Sequence, residues 1–214
     1  MGNMDMVNLI IENAPSNINC LQLAFVATAK KGDPDICEWL LRHPKRCSTS
    51  LHLAAPLDVA CVGNHVEVVK LLLADVADIH AWTGSGAAVY NASKNSHTAL
   101  LKLLLFHGAY PHYRDNDGWT ALNFAIDRGC LDSIHLLLEQ GVDVNARDES
   151  GWPPFHWACK KGDVKILTLL LDYGVDTGLK TLDGLTPLDI AQSGMQLEAI
   201  QMLVLQMSEE LNLA

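Results

Sequence analysis

A beat of about 33 residues constrains this chain more than any other feature. Ala125, Ala158 and Ala191 stand 33 apart, and the series runs back to Ala92, Ala60 and Thr28 in steps of 33, 32 and 32. Apolar triplets keep the same beat, ending at Leu41, Leu73, Leu105, Leu138, Leu171 and Val204. A turn glycine comes after the later triplets at Gly108, Gly141 and Gly174. Three features in one register mark a chain of stacked, similar units rather than one irregular core.

One unit can be read from its residues. Between Thr120 and Arg128, Ala121, Leu122, Phe124 and Ala125 give a short helix one buried side. The small alanine lets helices approach closely, and Gly129 ends the helix because glycine tolerates positive φ. A second helix carries Leu131, Ile134, Leu137 and Leu138 at three- and four-residue spacing and stops at Gly141. Neither helix buries its face alone, so neighbouring units supply the core. Between units, Asp115-Asn116-Asp117-Gly118 and Asp148-Glu149-Ser150-Gly151 place Asp first and Gly fourth, which suits a type I turn, and Thr181-Leu182-Asp183-Gly184 is a third version. With short extended segments such as Val142-Asp143-Val144-Asn145 beside them, the connectors are expected to be β-hairpin-like fingers.

Composition narrows the function. Hydrophobic residues make up 49% of the 214, enough for a sizeable core, which argues against disorder. The formal charge of −10 repels a phosphate backbone, and basic pairs such as Lys30-Lys31 and Lys160-Lys161 are too small for a nucleic-acid footprint. Apolar runs fall short of the roughly 18 residues a membrane span needs. The six cysteines contain no Cys-x-x-Cys pair and are expected to be reduced thiols of a cytoplasmic or nuclear protein. No metal or other cofactor is expected.

These residues resemble the ankyrin repeat. Thr186-Pro187-Leu188-Asp189-Ile190-Ala191 matches the family's Thr-Pro-Leu-His-x-Ala helix start except for Asp189, and Pro153-Pro154-Phe155-His156-Trp157-Ala158 keeps the Pro and the His. Leu136-Leu137-Leu138-Glu139-Gln140-Gly141-Val142-Asp143-Val144-Asn145-Ala146 is similar to the family's second-helix ending, and the period differs from the 34 residues of tetratricopeptide repeats. The resemblance implies an all-α solenoid of helix–turn–helix units with hairpin-like fingers. It covers nearly the whole chain as one domain: a partial repeat over 1–19, then repeats over about 20–48, 49–80, 81–113, 114–146, 147–179 and 180–214. Gly2 to Asn13 looks like a second helix without its first, so the chain is expected to start in mid-repeat, as an excised segment or a half-repeat cap. Three places depart from the pattern. The Thr28 repeat has Leu23-Ala24-Phe25-Val26, Leu51-His52-Leu53-Ala54 offers a rival register to Ala60, and Ser96 stands where Gly is usual. Ala60 is preferred because Val66, Val69, Leu72 and Leu73 then fall correctly.

The family resemblance implies that partners dock on finger tips and on the exposed side of the first helices. Trp119, Trp152 and Leu185 occupy one column after the turn glycines, and tryptophan is enriched among binding hot spots. The bland alternative is that both rings simply pack on neighbouring fingers. Asp127-Arg128 and Lys160-Lys161 flank that column as a polar rim. Asp117 and Glu149 lie in the turns, Arg114, Arg147 and Lys180 at matched finger positions, and Tyr113 and Trp82 are weaker additions. His156 and Cys159 invite a nucleophile or metal reading, but the resemblance makes His156 a structural histidine bonded to finger backbone. His107 and His112 flank Gly108 without a further ligand in suitable spacing. Gly84-Ser85-Gly86 is a fragment of a phosphate loop without its lysine. Asn145 resembles the ankyrin asparagines hydroxylated by an oxygen-dependent dioxygenase.

The expected function is therefore non-catalytic binding of another protein by a monomer, with neither nucleic acid nor membrane insertion involved. The acidic balance favours a basic partner through steering. The alternative is a regulatory or targeting segment of a larger enzyme, ligase adaptor or channel.

Overall fold

The computed structural model describes residues 18–43, 53–75 and 85–213. The partial repeat over 1–19, the rival start at Leu51-His52 and the candidate contact Trp82 lie at least partly outside these residues. Among the described residues there are twelve helices and no strand; one isolated antiparallel bridge joins Arg114 and Thr120. In chain order the helices are α1 Ile18–Lys31, α2 Pro34–Arg42, α3 Ala54–Val62, α4 Val66–Asp75, α5 Ser85–Lys94, α6 Thr98–Phe106, α7 Ala121–Arg128, α8 Leu131–Glu139, α9 Pro154–Lys161, α10 Val164–Asp172, α11 Pro187–Ser193 and α12 Leu197–Leu213.

The chain forms two compact units, one built on residues up to Ala88 with Phe106–Ala109, the other on Val89–Leu105 and the residues from Tyr110 onward. In the first unit α1 packs on α2 and α3, and α4 packs on α2 and α3. In the second, α7 packs on α8 and α9, α9 on α10 and α11, and α12 on α10 and α11. Within each unit, first helices thus stack on first helices and second helices on second helices. The alanine column explains the close approach: Ala60, Ala125, Ala158 and Ala191 are each 0% exposed, which also settles the register in favour of Ala60 over Ala54. Leu100, Leu101 and Leu104 of α6, and Ile134 and Leu137 of α8, are fully buried. Each such side chain contributes about 2 kcal/mol by leaving water.

Local chemistry sets the helix ends. Thr120 and Thr186 close reciprocal capping boxes with Asn123 and Asp189, and Asp33 and Asp163 cap α2 and α10. After each first helix one residue takes positive φ, in the series Gly32, Asn64, Ser96, Gly129, Gly162 and Met195. Gly194 directly after α11 is not the left-handed residue: it has φ −85°, and Met195 takes +53°. The beat fixes which position must turn left-handed, whatever residue occupies it. The segment 142–145 also differs from the extended form expected. Asp143 Oδ1 accepts the Asn145 N–H at 2.9 Å and the Asp143 carbonyl accepts the Ala146 N–H at 3.2 Å, so it is a turn closed by an aspartate side chain. Ser85 and Gly86, set aside above as a phosphate-loop fragment without its lysine, begin α5.

Candidate functional site

The fingers of the second unit are built as the turn spacing predicts. Gly118, Gly151 and Gly184 donate their N–H groups to the carbonyls of Asp115, Asp148 and Thr181 at 3.1, 2.9 and 2.9 Å. Each aspartate then divides its two oxygens between tasks. Asp115 Oδ1 accepts the N–H groups of Asp117 and Trp119, while Oδ2 accepts the Tyr90 hydroxyl at 2.6 Å. Asp148 Oδ1 accepts from Ser150 and Trp152, and Oδ2 accepts the Trp157 indole N–H at 3.0 Å. The same carboxylate therefore shapes the finger and fixes an aromatic ring of the first helix behind it. Burial, followed by the bond to Asp115, pushes the Tyr90 hydroxyl above its usual range and keeps it neutral.

Those rings form one continuous array. Tyr113 meets Tyr90 edge-on at 5.4 Å, Tyr90 meets Phe124 at 4.9 Å, and Phe124 meets Trp119 at 4.7 Å. Trp157 joins the two finger tryptophans, 4.7 Å from Trp119 and 4.9 Å from Trp152. Such tilted and edge-to-face pairs add about 0.5–1.5 kcal/mol each beyond area burial. Lys94 Nζ lies 5.1 Å from the Phe124 ring centre, and Lys160 Nζ lies 4.7 Å from Trp157 and 5.4 Å from Trp152. Trp119, Trp152 and Trp157 are half-buried and Tyr113 is exposed, so the array is packed internally yet open to a partner. Leu185, third in the expected column, is exposed, and its carbonyl lies 3.2 Å from His156 Nε2.

The other candidates lie around the array. Lys161 pairs with Asp127 at 2.9 Å. Arg128 Nε donates to the Lys94 carbonyl. Arg114 and Arg147 each reach one finger onward, donating to the carbonyls of Arg147 and Lys180 at 2.8 and 2.9 Å. Asp117 and Glu149 are exposed at the tips, where the Glu149 N–H bonds the Asp117 carbonyl. A Cβ on Gly118 would come within 2.9 Å of that same Glu149 nitrogen, so glycine there serves both its positive φ and the close approach of the next finger. Asn145 Oδ1 accepts the Asp176 N–H at 2.9 Å, another link between successive loops.

His156 is fully buried, its Nε2–H donating to the Leu185 carbonyl and its Nδ1 without a partner. Burial, partly offset by that bond, lowers its pKa below 6.5. Cys159 is fully buried and its thiol is pushed up to about 12, which leaves no thiolate for nucleophilic work at neutral pH. Burial likewise raises Cys37 to about 11 and Cys61 to about 12. Cys37, Cys61, Cys130 and Cys159 are free thiols. Among the described residues no group of three His, Cys, Asp or Glu side chains is placed to hold a metal ion, and no helix is long and apolar enough to cross a membrane. His107 and His112 pack edge-on against Phe106 and Tyr110 respectively.

Sequence reasoning missed Tyr90, Phe124, Trp157 and Lys94. A signal for two of them was present: the position before the column alanine is aromatic in two successive repeats, Phe124 and Trp157.

Fold and site together define a helical repeat scaffold whose fingers and first helices carry an aromatic surface. Two ankyrin-repeat family models match the chain, one described as ankyrin repeats in three copies over residues 1–83 and 57–148, the other as ankyrin repeats in many copies over 137–191. The chain belongs to the ankyrin repeat family. It is 37% identical over 73 residues to FPV031, a Fowlpox virus (strain NVSL) protein named as a putative ankyrin repeat protein. That stretch is 33% of this chain and 21% of the relative, so the chain spans about a fifth of that protein's length. Ankyrin repeats generally serve as protein–protein interaction modules.

Proposed function

We propose that this chain is a non-catalytic binding module that holds a partner protein against the aromatic array of its second unit. The observation that carries the reading is the continuous series Tyr113, Tyr90, Phe124, Trp119, Trp157 and Trp152, open at its tryptophans and overlaid by Lys94 and Lys160. Rings already locked by hydrogen bonds to Asp115 and Asp148 lose little freedom on binding. The charges around the array divide by position. The lysines lie on the rings, whereas Asp117, Glu149 and Asp183 are exposed at the finger tips. The partner therefore sets an apolar centre on the tryptophans and basic groups against the tips. In this reading Arg114 and Arg147 hold fingers in register, and Leu185 extends the apolar column.

The test is affinity capture from lysate of the source cells, read by mass spectrometry, with the parent chain beside a Trp119→Ala/Trp152→Ala variant of unchanged circular dichroism. Partners retained by the parent and lost by the variant support the reading; equal retention places the binding face elsewhere. Hydroxylation of Asn145 belongs to the same reading as a modification of a loop-linking residue. Mass analysis of this peptide from natively expressed protein decides it, and a peptide without an added oxygen sinks it.

A further inference from the structure

The second unit contains the same groove twice, once filled and once open. The filled copy is lined by Pro111, His112, Arg114, Thr120 and Leu122, together with Val142, Asp143 and Ala146 of the next loop, and leaves about 30 Å³. Two 33-residue beats later, the positions of the first five recur as Thr177, Gly178, Lys180, Thr186 and Leu188. These line a cavity of about 290 Å³ with Pro187, Leu203 and Gln206.

The two copies differ beyond the second helix. Helix α8 ends at Glu139 and the chain turns, which delivers Val142, Asp143 and Ala146 into the groove. Helix α12 instead runs on to Leu213, so the position two beats after Val142, Ser208, is helical and supplies no such turn. One detail besides its volume marks the open copy as unfilled: Gln206 Oε1 is buried without a hydrogen-bond partner.

We propose that this open groove binds an aliphatic–acidic turn of the form Val-Asp-x-x-Ala carried by another protein chain. The filled copy supplies the template. Val142 and Ala146, four residues apart, line it together with Leu122 of the first helix. The aspartate between them lines the same groove as Arg114, and Lys180 takes the arginine position in the open copy, so a basic residue is kept there to attract an acidic one. A backbone N–H of the turn supplies the donor that Gln206 Oε1 lacks. This surface is distinct from the aromatic array and does not depend on it.

The experiment is amide NMR on the full chain, titrated with a synthetic peptide of residues 138–148. A control peptide carries Val142→Glu and Ala146→Glu. The expected result is saturable shifts at Gly178, Lys180, Leu188 and Leu203 with the parent peptide only. Gly178→Phe should weaken binding about tenfold or more, because a Cβ there meets only Asp176 Oδ1, at 3.3 Å, and the ring can enter the groove. Lys180→Glu should weaken it independently of that substitution. The proposal is overturned if the parent peptide gives no saturable shift, if the control peptide binds equally, or if the same resonances shift with protein concentration alone. That last result would assign the groove to a second copy of this chain.

Discussion

Met195 and His156 show how far the repeat dictates a single residue. Met195 adopts φ +53° where Gly129 and Gly162 adopt +69° and +73°. A side chain in that region costs about 1–2 kcal/mol, and Met195 is exposed, so its side chain adds little packing in return. Met195→Gly should raise the urea-unfolding stability by about 1 kcal/mol; unchanged or lower stability would contradict the strain. His156 makes the complementary case, a side chain needed neutral. Burial lowers its folded pKa below the ordinary 6.5, so between these values the unfolded chain binds the additional proton. Its contribution is thus complete above about pH 6.5 and lost as the pH falls through the folded value. The parent should lose stability on acidification from about pH 7.5 to about pH 5 more steeply than His156→Gln, measured by urea unfolding at each pH. Parallel pH profiles would show that His156 carries no such linkage.

The finger is the element in which local and inter-repeat chemistry meet. Its turn was legible because Asp and Gly at fixed offsets close it within four residues. The outer bonds were not legible, since Arg114 and Arg147 find their acceptors 33 residues onward and only the stacking brings those together. The aromatic array was half legible for the same reason. Trp119 and Trp152 stood out as a column, but Trp157, which joins them, lies on a helix whose facing direction is set by packing. Asp148 tests this double role. Asp148→Ala removes acceptors from two backbone N–H groups and from the Trp157 indole at a buried site, and should cost about 2–3 kcal/mol in urea unfolding. Asp148→Asn keeps an acceptor for the turn but sets an amide N–H against the indole N–H, so a smaller loss of about 1–2 kcal/mol is expected. Equal losses would mean that the turn bonds contribute nothing, and no loss in Asp148→Asn would mean that the indole bond contributes nothing.

For the chain as a whole, the beat of alanines, apolar triplets and turns made the family legible, because a repeat states its pattern several times and tolerates local departures. Asn64, Ser96 and Met195 replace a glycine without shifting the register. What the beat cannot state is where repeats differ in use. The array joins Phe124 and Trp157, which keep the beat, to Tyr90, which stands one position off it, and the open groove lies where α12 fails to turn. The net charge of −10 likewise says less than its placement, with acids at the tips and lysines over rings.

Binding by the aromatic array is the central claim, and the dissociation constant of a captured partner for single variants tests it most directly. Trp119→Ala and Trp152→Ala should each weaken binding by about 2 kcal/mol, roughly 30-fold, with unchanged circular dichroism. Tyr173→Ala removes an exposed ring that pairs with His135 instead of the array, and should leave the constant unchanged. Unchanged affinity in both tryptophan variants, or an equal loss in Tyr173→Ala, would contradict the account.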